Sequence, residues 1–217
     1  MYSLTVNAAY AYVRKAIDEL TSAEEIGLLV DPDGLNLHKL VEGHMVEAVT
    51  KAYAFAPALF LEGEAAVKDT DYNLSLNDGV VTIDMKTPTS KVLSVKSKDS
   101  EIVVTDMVAE SSPEGRMQLN KYVRGTYDEP VLVLQKQWNG DHLPRMKYYT
   151  TTIEKEQDLE FDIEFLPLPM LLEGEIKIAP RLEYVVLNLI VAMVLDSYRE
   201  NALAEQYRAK VKDYLGG

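Results

Sequence analysis

Between Ile153 and Phe165 the chain reads IEKEQDLEFDIEF, and carboxylates stand at every second position: Glu154, Glu156, Asp158, Glu160, Asp162 and Glu164. A strand points alternate side chains to opposite faces, so this spacing puts all six acids on one face and Leu159, Phe161, Ile163 and Phe165 on the other. Neighbouring acids on such a face lie about 7 Å apart and repel by about 0.6 kcal/mol per pair at the dielectric constant of water. The acidic face must therefore be wet. It can be the solvated side of an antiparallel sheet, a wall facing the lumen of a ring of subunits, or a divalent-cation site. Calcium ligands, however, usually come from a bent loop that wraps the ion.

Other groups capable of chemistry are sparse. His38 and His44 fall on one helical stretch, but a separation of six residues is about 240° around a helix, so the two cannot share a metal. His142 lies in a turn. Cysteine is absent, which removes disulfides, thiolate nucleophiles and cysteine-based metal sites. There is no glycine-rich phosphate loop, no G-x-S-x-G elbow and no H-E-x-x-H pair. No enzyme, cofactor or metal is expected. Two alternatives stay open. Acids are abundant enough to supply a carboxylate-dependent hydrolase, although nothing singles out two of them. Trp138, Tyr148 and Tyr149 beside Asn139-Gly140 could stack on a sugar, giving a β-domain binding module for carbohydrate or a divalent cation. Arg116, Lys121 and Arg124 form the one compact basic cluster in the sequence, suited to an acidic patch on a neighbouring subunit or ring.

These residues need elements to hold them. Apolar positions at Val6, Ala9, Tyr10, Val13, Ala16, Ile17 and Leu20, and again from Leu37 to Ala52, predict two helices joined through the breakers Asp31, Pro32 and Gly34, with Asn36 as a cap. The second must end near Ala56, because Pro57 disfavours helical geometry before it. Leu182, Val185, Val186, Leu189, Ile190, Met193 and Val194 predict a helix with one broad buried face, opened at Pro180. Asn201 then caps a last helix that Gly216 ends. Two terminal helical hairpins packed on each other are the expected frame.

From about Leu61 the period changes to two. Asn77-Asp78-Gly79, Lys98-Asp99-Ser100 and Asn139-Gly140-Asp141 read as turns between strands, and Ser112-Pro113 opens a short helix near 112–124. The expected fold is thus α+β: a helical hairpin over 1–60, an inserted antiparallel β domain over 61–178, and a closing helical hairpin over 179–217. Exposed residues of the last hairpin, namely Tyr198, Arg199, Tyr207, Arg208 and Lys210, are candidates for an inter-subunit or inter-ring contact.

Charge narrows the functional classes. The net charge is −13, and most of it falls between Glu62 and Pro180, which carry thirteen Lys/Arg against twenty-two Asp/Glu. Such a chain lacks the phosphate-neutralising surface that drives nucleic-acid binding. The start, MYSLTVNAAYAYVRKAIDEL, has no cationic flank before an apolar block, so no signal peptide is expected. The longest apolar run falls short of the roughly 20 residues of a membrane span, so no membrane association is expected.

Several stretches together resemble the ring-forming head-to-tail connector (adaptor) proteins of short-tailed, crAss-like tailed phages. They are AYAFAPALFL, with its helix end at Ala56-Pro57; the segment from Val92 to Leu134, with Ser112-Pro113, Gln118 to Lys121, Arg124-Gly125 and Pro130; and the tail RLEYVVLNLIVAMVL…ALAEQYRAKVKDYL, with Ala204 and Tyr207. The resemblance implies a virion structural protein of the tail or neck, made in the host cytoplasm. It would form a ring, of twelve copies if it matches the portal, between the portal and tail or other ring proteins. Genomic DNA would pass nearby without specific binding, and acidic residues repel phosphate within about 8 Å at physiological salt.

Overall fold

The computed structural model describes residues 1–23, 34–135, 142–150 and 159–216. In chain order the elements are β1 (Tyr2–Thr5), α1 (Val6–Ala23), α2 (Gly34–Phe55), β2 (Glu64–Ala65), β3 (Tyr72–Asn77), β4 (Val80–Met85), β5 (Thr89–Ser97), β6 (Val103–Val104), β7 (Met107–Ala109) and α3 (Pro113–Met117). There follow β8 (Val131–Gln135), β9 (Arg145–Tyr149), β10 (Phe161–Pro167), β11 (Leu171–Leu172), β12 (Glu175–Ile178), α4 (Glu183–Ser197) and α5 (Asn201–Leu215). They form two compact units: a terminal unit of Met1–Glu62 with Pro169–Gly217, and a central unit of Gly63–Leu168.

The expectation of two helical hairpins framing an antiparallel insert does not hold. The described residues form five α-helices and twelve strands in three sheets. The class remains α+β, but the terminal unit is not purely helical. Its sheet runs β1-β12-β11, with Ser3 opposite Lys177 and Leu4 opposite Ile176. The strands β11 and β12, placed in the insert by sequence, belong here. The return from the central unit lies between Leu168 and Pro169 rather than after residue 178.

The helices of this unit gather around α4, which touches α1, α2 and α5. Every residue from Val185 to Leu195 is buried, so α4 is enclosed on all sides instead of having the single buried face its periodicity predicts. A helix that is apolar all round belongs inside. Thr5 opens α1 by accepting a hydrogen bond from the Ala8 amide at 3.1 Å, the N-cap pattern. Helix α2 begins at Gly34, so Asn36 lies within it and not at its cap. At the other end Gly216 takes the left-handed conformation (φ 83°) that closes α5. Among the described residues no helix is long and apolar enough to cross a membrane.

The central unit holds two sheets, ordered β2-β10-β5-β6 and β3-β4-β9-β8-β7. Their shared core includes Tyr72, Val81, Ile83, Leu132, Met146, Tyr148, Phe161 and Ile163. Each Val, Ile, Leu, Met or Phe side chain among them, removed from water, contributes about 1.5–3 kcal/mol. Asp78 (φ 54°) and Gly79 (φ 72°) make the β3–β4 connection with two positive φ angles, the geometry whose twist suits a tight hairpin. The five-stranded sheet is not wholly antiparallel, because β7 pairs with β8 in parallel. The predicted helix near 112–124 is α3 alone, five residues long, followed by turns to Gly125.

Candidate functional site

The segment that follows β7 is a braced apolar knuckle. Ser112 caps α3 by accepting from the Gly115 amide at 3.0 Å, with Pro113 in the first turn. Gly115 is packed so closely on the Ala109 carbonyl of β7 that no side chain fits there. Helix α3 stops at Met117 because polar side chains offer the backbone other partners. Buried Gln118 donates to the Glu114 carbonyl at 3.2 Å and accepts from the Gly125 amide at 2.7 Å. Asn120 Oδ1 accepts from the Tyr122 amide at 3.0 Å.

The far end is tied equally well. A Cβ on Gly125 would lie 2.7 Å from the Tyr149 carbonyl oxygen and 2.8 Å from the Val131 nitrogen, so only glycine fits against β8 and β9. The Tyr127 hydroxyl donates to the Asp99 carbonyl at 2.6 Å. Lys121 Nζ sits 2.9 Å from the Asp78 carboxylate, and Arg124 donates to the Asp78 carbonyl at 3.3 Å. The Asp78 carboxyl is held below the ordinary aspartate range, first by the hydrogen bond from Lys121 and then by its charge.

What this brace presents is apolar. Met117 is 53 %, Leu119 71 %, Tyr122 97 %, Val123 51 % and Tyr127 43 % exposed. Single surface apolar residues are ordinary, but five large ones within eleven positions held in fixed turns are the composition of an interaction site. Sequence reasoning missed these residues because it reads 112–124 as one short helix and assigns no face of it to core or surface. The local signal for an earlier end lies in Gln118 and Asn120, whose side chains take backbone partners after Met117.

The basic cluster is divided by the same brace. Lys121 and Arg124 are used within the chain to hold the β3–β4 turn, whereas Arg116 is exposed and has no ion-pair partner among the described residues. The terminal helices divide their candidates too. Tyr207 is only 5 % exposed, its ring lying in the core with Lys210 Nζ 3.9 Å from its centroid; it is not a contact residue of the surface. Arg208 bridges Asp196 of α4 and Glu205 of α5. Arg199 is exposed in left-handed backbone (φ 66°), and Tyr198 is half-buried beside it.

Of the acidic stripe, Glu154, Glu156 and Asp158 lie outside the described residues. The remainder alternates in and out on β10 and its approach: Leu159, Phe161, Ile163 and Phe165 are buried while Glu160 and Asp162 are exposed. This half is not a bare acidic wall. Lys98 pairs with Glu160, and Lys96 stands cross-strand from Asp162, so a lysine of β5 and one just after it offset the charge. Lys98 also lowers the pKa of Glu160, by hydrogen bond first and by charge second. Asp162, Glu164, Lys96 and Ser94 line an open groove of about 410 Å³, where Glu164 accepts from the Gly63 amide at 2.9 Å.

Little here supports the chemical alternatives. Among the described residues the carboxyl groups whose pKa clearly departs from the ordinary value are Glu47, Asp78 and Glu160, each lowered by a lysine. A general acid needs the opposite shift. Among the described residues no group of three or more His, Asp or Glu side chains could hold a metal ion. His38 bonds Asn7 at 3.3 Å and His44 bonds Ser197 at 3.2 Å. Tyr148 and Tyr149 are 1 % and 4 % exposed, too buried for a sugar platform, and Trp138 lies outside the described residues. Compared with known proteins, the chain matches no protein-family model and no curated sequence.

Proposed function

We propose that the chain is a structural protein that works by self-assembly, as the repeating subunit of a ring adaptor between the portal and tail of a tailed phage. The observation that carries the assembly reading is the braced segment 117–127, whose five large apolar side chains are 43–97 % exposed. A chain gains nothing from fixing such residues in water unless another surface covers them. The phage setting rests on the sequence resemblance around Ala56-Pro57, Ser112-Pro113 and Arg124-Gly125.

In that setting the protein resides in the virion neck, its partners are further copies of itself, the portal and the tail, and it has no catalytic role. The net charge of −13 suits a conduit past which DNA slides, because an acidic surface does not grip phosphate. Light scattering combined with negative-stain microscopy tests this. The reading expects closed annular particles at high protein concentration; a monomer at every concentration up to the solubility limit, with no annuli in the field, would overturn it.

A further inference from the structure

The chain carries a second apolar surface, on the terminal unit. The rings of Tyr184 and Tyr214 are 5.0 Å apart, and that of Phe60 lies 5.7 Å from Tyr214. Next to Phe60, Leu59 is 73 % exposed, while Tyr2, Tyr184 and Tyr214 are 39 %, 39 % and 44 % exposed. The surface is fixed rather than loose. Arg181 donates to the Leu59 carbonyl at 3.1 Å and pairs with Glu62 at 2.8 Å, and the Tyr214 hydroxyl donates to the Arg181 carbonyl at 3.4 Å. Glu183, beside Tyr184, raises the pKa of the Tyr2 hydroxyl through a hydrogen bond and then by its charge.

We propose that the braced segment of one copy docks on the Leu59/Tyr184/Tyr214 surface of the next, so that copies join head to tail. This rests on the self-assembly reading and specifies its interface. Three considerations select a second copy as the occupant. The first is area. With roughly 200 Å² for a large side chain, the fractional exposures give about 600 Å² on the segment and about 400 Å² on the aromatic surface, together about the 1,000 Å² that a specific interface must bury. The second is economy of exposure. A two-fold contact of the segment with itself would leave the aromatic surface bare, whereas a head-to-tail contact covers both on every copy. The third is charge, since Arg116 at the segment's edge has no ion-pair partner among the described residues and the other surface carries an acid of opposite charge, Glu183. Aromatic rings flanked by an arginine are the usual composition of a contact's energetic centre. Repeated from copy to copy, one such non-self-complementary contact closes into a ring when the rotation divides a full turn.

Complementation between two variants tests this. Leu119→Asp/Tyr122→Ser disables the segment and Leu59→Asp disables the aromatic surface, all at exposed positions, with circular dichroism verifying that each variant folds. Each alone should shift the concentration for association by at least about tenfold. An equimolar mixture, in which one intact segment meets one intact aromatic surface, should give a species of twice the 24.4 kDa chain mass and nothing larger. Leu119→Ala should weaken association in the same direction to a smaller degree. Variants that stay monomeric alone and when mixed would overturn the head-to-tail contact and leave self-assembly standing, as would wild-type oligomers that neither variant disturbs. Wild-type protein that never associates would overturn both.

Discussion

The side-chain oxygen of Gln118 accepts a hydrogen bond of 2.7 Å from the amide of Gly125, closing the apolar segment on itself. Gln118 is 7 % exposed, so this bond satisfies a backbone donor that water cannot reach. Removing it should loosen the surface that the segment presents.

Gln118→Ala is expected to destabilise the protein by about 1–3 kcal/mol, the cost of leaving a buried amide unpaired, whereas Gln118→Glu keeps an acceptor and should lose less. Gly125→Ala should cost about 1–3 kcal/mol as well, because its methyl group meets the Tyr149 carbonyl and Val131 nitrogen at 2.7 and 2.8 Å. Urea unfolding monitored by circular dichroism measures both; two variants as stable as wild type would mean that the segment is not braced.

The Lys121–Asp78 pair gives a pH dependence of known sign. Asp78 titrates below the ordinary aspartate range in the folded chain. Its contribution is therefore fully present above the unfolded value and is lost as pH falls through the lower, folded one. In Lys121→Gln the Asp78 titration should move up toward the ordinary range. Carbon-detected NMR titration of the carboxyl reads this directly, and an unmoved midpoint would show that Lys121 is not the cause.

Arg208 reads from sequence as a surface residue that could be reversed without harm to the fold. It bridges Asp196 and Glu205 instead, with about a third of its side chain exposed. Arg208→Glu should lower stability by about 1 kcal/mol, the upper range for a partly solvated pair, and Arg208→Met should lower it less because the aliphatic stem is kept. Thermal melts check the order of the three proteins.

A charge placed at two leucines separates core from surface. Leu189, 7 % exposed in α4, should not tolerate Leu189→Asp, which buries an unpaired carboxylate and should cost more than about 4 kcal/mol, much of a domain's stability. Leu119→Asp, at a position 71 % exposed, should change monomer stability by no more than about 0.5 kcal/mol. Equal losses in the two would contradict the assignment of Leu119 to a surface.

Much of the local structure was legible in the residues. Asp78-Gly79 announced the β3–β4 turn, Ser112-Pro113 the start of α3, Gly216 the end of α5, and the alternation from Leu159 to Phe165 which side of β10 is buried. Each is a signal carried within a few residues. What could not be read depends on partners far along the chain. Tyr2–Thr5 is too short a strand to stand out beside a helix, and its partner Glu175–Ile178 lies more than 170 residues away, with Ser3 bonded to Glu175 at 2.6 Å. For the same reason β11 and β12 read as part of the insert. Tyr207 shows the limit for amphipathic residues, since an apolar ring with a polar tip suits a core and a surface equally. The exposed segment falls in a stretch that reads as one helix near 112–124, and its true end at Met117 depends on Gln118 reaching the Gly125 amide and on Gly125 packing against β8 and β9.

Tyr122, 97 % exposed in the single chain, is the residue on which the account turns most directly. Hydroxyl-radical footprinting across a concentration series, with light scattering on the same samples, reads its accessibility as mass increases. The account predicts that oxidation of Tyr122 falls in step with the rise in mass, together with that of Tyr184 and Tyr214. Mass that rises while Tyr122 stays fully oxidisable would contradict the claim that segment 117–127 is the assembly surface.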